Sequence, residues 1–474
     1  MADPETCLPL TATSILTTHA RIAQHIHQTP LLTSQSLSAI ASSPNPRLFL
    51  TSDPPSVHIS AQPNTQTLAI SRSPAAAEET PSPSLPPPKV NVYLKCENQQ
   101  RIGAFKARGA FSAVTHLIEL LSLPSLRTRG VITHSSGNHA QALALAASTF
   151  SIPAWIVMPT ISTPSKISGT KSFSGVQVVF SGSTSREREE VVARILAERE
   201  NEVGKGMGPV LVPPYDHPDI MLGQGTSGLE LERQFQALHP DRPDKMLDVV
   251  MIPLGGGGLL SGNAIHFSHN NTDNHDRVND KKTRVFGCEP SFQGANDGEL
   301  GLKTGHRVEH VSTLTIADGL RTPIGKWPWT IITDPNYIAG IYSVTEDEIK
   351  SALKLLMERA KLFVEPSSAV PLAVLLFNEA FRAKIAAWQQ QETEREGSTR
   401  AWDVAIILSG GNTTIEALTT LFRPETCVTA EQELKCLKAG SRHDEGTRTE
   451  QSERERVTGQ IGLDGKRVVE DIAG

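Results

Sequence analysis

No run of apolar residues in the 474-residue chain is long enough to cross a bilayer, which takes about 20. Positive charge is also scarce. Lys and Arg number 45 against 51 Asp and Glu, a net charge of −6 that builds no basic surface for nucleic acid or anionic lipid. Neither nucleic acid nor membrane is therefore expected as a partner. The opening MADPETCLPLTATS has neither the basic nor the apolar stretch of a secretory signal, so a cytoplasmic location is expected. The cysteines, Cys7, Cys96, Cys288, Cys427 and Cys436, are scattered and match no CxxC or Cys/His spacing of a zinc module. Free thiols in a reducing compartment follow from that scatter.

A hydrophobic share of 38% is low for a globular enzyme, and the shortfall is local. Ser42 to Lys89 is rich in Pro, Ser and Thr, which bury too little apolar surface to offset their ordering entropy, and reads as a mobile insertion. HNNTDNHDRVNDKKTR and QQQETEREGSTR read as surface loops or helix ends, and residues 423–474 as a polar, disordered tail. The remainder alternates. VNVYLK, GVITHS, AWIVMP, VQVVFS, DVVMIPLG, RVFGCEP and DVAIILSG are strand-like, and HAQALALAASTF, REREEVVARILAERE, TEDEIKSALKLLMERAKLF and SSAVPLAVLLFNEAF are helix-like. Such alternation predicts an α/β fold with parallel sheets that bind ligands at the strand C-terminal ends.

Four junctions in this pattern carry chemistry. In KCENQQRIGAFKARGA, Lys106 stands where a loop becomes a helix, and the positive helix end favours the neutral amine that imine formation requires. Taken alone, such a lysine is more often a solvated helix residue. HSSGNHA, residues 134–140, closes a strand and opens a helix, which suits an anion such as a substrate carboxylate but equally an ordinary helix cap. Gly255, Gly256, Gly257 and Gly258 follow a strand directly and let the backbone wrap a phosphate. No Lys-Ser/Thr follows them, so a nucleotide-hydrolysing loop is disfavoured. GQGTSG at 223–228 fits GxGxxG but follows a helix-like segment, without the strand that dinucleotide binding requires. Finally, LSGGN at 408–412 ends a strand and presents Ser409, whose neutral hydroxyl suits a pyridine nitrogen as well as a plain turn.

In this order and spacing the four junctions resemble the fold type II family of pyridoxal-phosphate (PLP) enzymes, in the branch of serine racemases and serine/threonine dehydratases. The similarity runs from about Thr29 to about Phe422 and includes GQGT, TIADG, VTEDEI and FVEPSSA. It implies two open parallel-sheet domains with the cofactor in the cleft between them. Residues 1–127 and 221–422 would form the large domain and 128–220 the small one. It further implies a homodimer and a small hydroxy amino acid as substrate.

By the same resemblance Lys106 is the Schiff-base lysine, Phe105 packs beside the ring, Asn138 contacts its 3-hydroxyl, Gly255 to Gly258 hold the phosphate and Ser409 meets the pyridine nitrogen. Ser135, Ser136, Asn138 and His139 would surround the substrate. Lys106 would take the Cα proton, and Ser136 on the opposite face would allow racemisation beside elimination to a keto acid and ammonia. The double serine also occurs in 3-hydroxyaspartate dehydratases, so Ser136 leaves that reaction open. A β-replacement synthase and an inactive PLP-binding scaffold are the readings of other classes. Glu289, Ala295 and Asp297 match the family's divalent-cation ligands if extra residues within EPSFQGAND are allowed, and oxygen ligands suit Mg²⁺ or Ca²⁺. A solvated acidic loop explains the same residues.

Overall fold

Apolar, β-branched runs set the strands of the computed structural model, which describes residues 1–51, 86–135, 137–268 and 282–423, together with the backbone of 56–58 and 69–71. The strands are β1 (Leu31–Thr33), β2 (Ser56–His58), β3 (Ala69–Ser71), β4 (Val90–Cys96), β5 (Val131–His134), β6 (Ala154–Pro159), β7 (Val176–Ser181), β8 (Val210–Leu211), β9 (Val249–Pro253), β10 (Arg284–Pro290), β11 (Gly340–Val344) and β12 (Trp402–Leu408). Residues Met1–Thr413 form one compact unit. Of the second unit, which begins at Thr414, the described part is a helix, Ile415–Phe422, capped by the Thr414 hydroxyl.

Within the first unit one sheet has six strands in the order β1-β4-β12-β9-β10-β11 and another has four in the order β7-β6-β5-β8. All pairs in these two sheets are parallel except β1 with β4, where Leu31 faces Lys95. Every residue of β9 and β12 is buried, as central parallel strands covered on both faces require. No single helix among the described residues is long and apolar enough to cross a membrane.

The GQGTSG segment lies inside the Pro218–Ala237 helix and serves packing. A Cβ on Gly223 would stand 2.7 Å from the Arg108 carbonyl oxygen, and one on Gly225 2.6 Å from that of Gly262. These glycines let the Lys106–Leu121 and Gly258–Ser268 helices approach at backbone distance, so two of the junctions singled out above are braced by one helix.

Two expectations need correction. SSAVPLAVLLFNEAF forms two helices, Pro366–Phe377 and Glu379–Glu396, because the Asn378 side chain accepts from the Phe381 amide at 2.9 Å and caps a new start. The insertion read over Ser42 to Lys89 is packed at both edges. Phe49 is buried in a short 3₁₀ turn, Pro46–Leu50, the Arg382 guanidinium donates to the carbonyls of Ala41 and Ser43, and Lys89 exchanges two hydrogen bonds with Gln389. Prolines and polar groups there are satisfied by neighbours that composition cannot reveal. Between these edges β2 pairs with β3 antiparallel, and residues 52–55, 59–68 and 72–85 lie outside the described residues, as does the tail from 424.

Candidate active site

β4 leads through two 3₁₀ turns, Glu97–Gln99 and Arg101–Gly103, to Lys106, the first residue of its helix. Beneath this loop lies a buried ionic cluster. Arg108 donates to both oxygens of Glu97 (2.7 and 2.8 Å) and both of Glu230 (2.8 Å each), and Lys95 donates to Glu230 at 2.8 Å. Burial works to raise the Glu230 carboxyl, but the His19 hydrogen bond and then these cations hold it well below the usual carboxylate range. Removing one partner strands a buried charge, which costs about 3–5 kcal/mol, so the cluster fixes where Lys106 begins its helix.

The Lys106 amine donates to the Pro214 carbonyl at 2.7 Å and lies 5.1 Å from the Phe105 ring centre and 5.9 Å from that of Tyr215. Desolvation lowers its pKa to about 8, the negative charge of Glu365 acting in the opposite direction. An appreciable fraction is thus the neutral nucleophile near neutral pH.

The glycine loop leaves β9 and enters the Gly258–Ser268 helix. Gly257 has φ +91°, and a Cβ on Gly256 would stand 2.3 Å from the Tyr215 ring, so side chains are excluded on both counts. Among the described residues, the amides of Gly255, Gly256, Gly257 and Gly258 have no protein acceptor. Unpaired amides at a helix start suit a phosphate. Tyr215 packs on this loop and its ring centre lies 5.9 Å from the Lys106 amine, so the two junctions are neighbours.

Asn138 opens the Asn138–Thr149 helix after β5. Its amide donates to Glu365 at 3.0 and 3.3 Å, and its oxygen accepts from Asn412 at 2.9 Å. Asn412 also donates to the Ile102 carbonyl, next to Gly103. Burial, then the nearby Asp318 charge, pushes the Glu365 carboxyl up to about 7. Lys166 forms an ion pair with Asp318 and lies under the Gly137 backbone.

Ser409 is buried, its hydroxyl 3.2 Å from that of Ser368, and its carbonyl accepts from the Phe105 amide at 3.0 Å. Ser135 accepts from the Gly137 amide at 3.3 Å. His139 is buried and its pKa falls to about 3, through desolvation first and the Lys106 charge second. It is therefore a neutral ring. Its Nε2 donates to the Val212 carbonyl at 3.2 Å, leaving Nδ1 as a buried acceptor with no partner among the described residues. Ser136 lies outside the described residues.

Glu289 lies on β10, Asp297 opens the Asp297–Thr304 helix, and Ala295 lies in the connection between them. Glu289 accepts from the amides of Gly298 (2.9 Å) and Glu299 (3.0 Å), and Asp297 from that of Ile324 (3.0 Å). Burial pushes Glu289 far up, with the Asp297 charge adding to it, and raises Asp297 to about 6. Ala295 is buried beside them.

Sequence reasoning named Lys106, Phe105, Asn138, the glycines and Ser409, and the fold links them through neighbouring contacts. It missed Pro214, Tyr215, Glu365, Asn412, Lys166 and Asp318. Glu365 and Asp318 lay within the segments FVEPSSA and TIADG, but nothing in one strand of text shows that a carboxylate 227 positions away grips Asn138.

Comparison with known proteins adds what the geometry leaves open. The family described as pyridoxal-phosphate dependent enzyme matches residues 70–390. Serine racemase of Schizosaccharomyces pombe is 36% identical over 329 residues, 69% of this chain and 84% of that protein. L-threo-3-hydroxyaspartate ammonia-lyase of Saccharomyces cerevisiae is 35% identical over 332 residues, covering 70% and 85%. The solved structure of maize serine racemase superposes with a TM-score of 0.63 at 28% identity, over 90% of this chain and 99% of that one.

Proposed function

The chain belongs to the pyridoxal-phosphate dependent enzymes, in the fold type II group of serine racemases and hydroxy amino acid dehydratases, and on that premise we propose that it converts L-serine or L-threonine to a keto acid and ammonia and also racemises serine. The observation that carries this reading is the Lys106 amine, brought to a pKa of about 8 and set near Phe105 and Tyr215, the latter packing on the glycine loop. When bound, pyridoxal phosphate supplies an electron sink that makes the substrate Cα proton removable.

The residues present fit that group. Lys106 attaches it through its amine, the Gly255 to Gly258 amides hold the phosphate, and Asn138 and Ser409 orient the ring. Glu365 and Asn412 fix the Asn138 side chain so that one orientation is presented. Ser135, Asn138 and the unpaired Nδ1 of His139 form the substrate pocket. With that group bound, the Lys106 amine would be placed to take the substrate Cα proton; the β-hydroxyl would leave with a proton as water, and one water returned to the released enamine would give the keto acid and ammonia. Ser136 is assigned to the opposite face, where returning a proton inverts Cα.

The same proposal includes a homodimer in the cytosol, a large domain of 1–127 and 221–422 with a small domain of 128–220, and a Mg²⁺ or Ca²⁺ ion held by Glu289, the Ala295 carbonyl and Asp297. Two neighbouring buried carboxylates support the ion, since a divalent cation relieves their mutual repulsion. A second reading, dehydration of 3-hydroxyaspartate, draws on the Lys166 ammonium beside Gly137, a cation near the pocket for a second carboxylate.

Incubation with L-serine, D-serine, L-threonine and 3-hydroxyaspartate, with keto-acid detection and chiral analysis, tests both. Keto acid and D-serine from L-serine are expected. Keto acid from 3-hydroxyaspartate alone selects the second reading, and no turnover of any of them by PLP-loaded protein overturns both.

A further inference from the structure

Three donor atoms of different chemical kinds meet away from the cofactor cleft. Cys7 follows the first 3₁₀ turn of the chain, His116 lies on the Lys106–Leu121 helix, and Asp219 lies in the first turn of the Pro218–Ala237 helix. The Cys7 sulfur, an imidazole nitrogen and a carboxylate oxygen all lie within 4.8 Å of one another. His116 and Asp219 are buried and Cys7 is half-buried. We infer that Cys7, His116 and Asp219 form a zinc site that ties the N-terminal segment to the two helices bracing Lys106.

The donor set selects the metal. Sulfur and imidazole nitrogen favour zinc or a related transition metal over Mg²⁺ and Ca²⁺, which take oxygen. A tetrahedral zinc ion keeps its ligand atoms roughly 3.3–3.8 Å apart, given bonds of about 2.0–2.3 Å. His116 Nδ1 lies 2.8 Å from Asp219 Oδ2, so the pair needs to open by only about half an ångström. Charge balances as well. One thiolate and one carboxylate neutralise a 2+ ion, leaving no net charge in a buried place. The Cys7 sulfur exchanges its proton for the metal, the proton passing to buffer, while His116 binds as a neutral ring carrying its proton on Nε2.

His217 completes the surroundings as a support. Its Nε2 donates to the Ala2 carbonyl at 3.1 Å, and its Nδ1 accepts from the Asp219 amide at 3.3 Å. With both nitrogens engaged it fixes Asp219 and leaves the fourth position for water, which the half-exposed Cys7 side admits. The cluster thereby adds a polar tie to the apolar packing that already sets Ala2 in the same core as Ala110, Val114 and Ile220.

The test uses full-length, PLP-loaded enzyme freed of metal and titrated with Co²⁺. One equivalent giving a sulfur-to-cobalt charge-transfer band in the difference spectrum is expected, displaced by one equivalent of Zn²⁺ and untouched by excess Mg²⁺. Cys7→Ala should lose the band while forming keto acid at the wild-type rate without metal, which shows that it folded. His116→Gln, which keeps the thiol, should weaken Co²⁺ affinity by roughly tenfold or more. A wild type without the band, or a band unchanged in Cys7→Ala, overturns the site. Cobalt bound at Glu289 and Asp297 gives no sulfur band, so the two metal proposals fail separately.

Discussion

The two sheets of the first unit differ in how deeply they are held. In the six-stranded sheet β9 and β12 are buried throughout and lead into the glycine loop and Ser409. In the four-stranded sheet the edge strand β7 is largely half-exposed, and its covering helix, Ser185–Val203, buries only Val192 and Ile195. Yet that sheet carries Ser135, Asn138 and His139 at the end of β5. Burial of apolar area contributes about 25 cal/mol per Å², so the stronger grip lies on the side proposed to hold the cofactor and the looser side carries the loop proposed to meet the substrate. Cofactor residues should accordingly respond to substitution by losing the cofactor, and substrate residues by changing the reaction.

Breaking the cofactor side is expected to give the largest effect. Lys106→Ala should abolish turnover. In the wild type, PLP reattachment to apoenzyme should speed as pH rises through about 8, because the ammonium below that value is no nucleophile. Stopped-flow absorbance at a series of pH values checks the slope. On the substrate side, Ser136→Ala should lower racemisation and D-serine elimination by about 10²–10⁴ while L-serine elimination largely persists. Equal loss on both sides, with PLP bound, makes Ser136 a general binding residue.

Smaller effects sharpen the comparison. Gly256→Ala drives a methyl into the Tyr215 ring and should weaken PLP binding about tenfold, some 1.4 kcal/mol, by equilibrium dialysis. Chelation should lower the melting temperature by about 2–5 °C, and Glu289→Gln or Asp297→Asn should remove that sensitivity. Indifference to both leaves the EPSFQGAND segment a plain loop. The smallest effect belongs to replacing residues 52–85 with a short Gly/Ser linker, which should leave turnover within about twofold. Loss of PLP in that variant would mean the segment supports the core.

Local signals account for most of what was legible in the sequence. Seven strand-like runs became β4, β5, β6, β7, β9, β10 and β12, because long apolar runs next to a loop-to-helix junction carry their own periodicity. β2 and β3, inside the segment read as a mobile insertion, went unread, as did β1, β8 and β11. β1, β8 and β11 are 3, 2 and 5 residues long and exist through pairing with distant partners such as Lys95 and Val131. Function divided in the same way. Lys106 and the four glycines are marked by their position after a strand, whereas Glu365, Asn412 and Tyr215 act through contacts that only the folded chain makes. Cys7, His116 and Asp219 have no shared spacing at all, which is why a scan for zinc motifs passes over them.

Mass spectrometry of borohydride-treated holoenzyme addresses the central claim most directly, since reduction fixes the cofactor to the lysine that carries it. The account predicts one phosphopyridoxyl adduct per chain, on the peptide containing Lys106. An adduct on Lys95, Lys166 or any other lysine, with Lys106 unmodified, would contradict it.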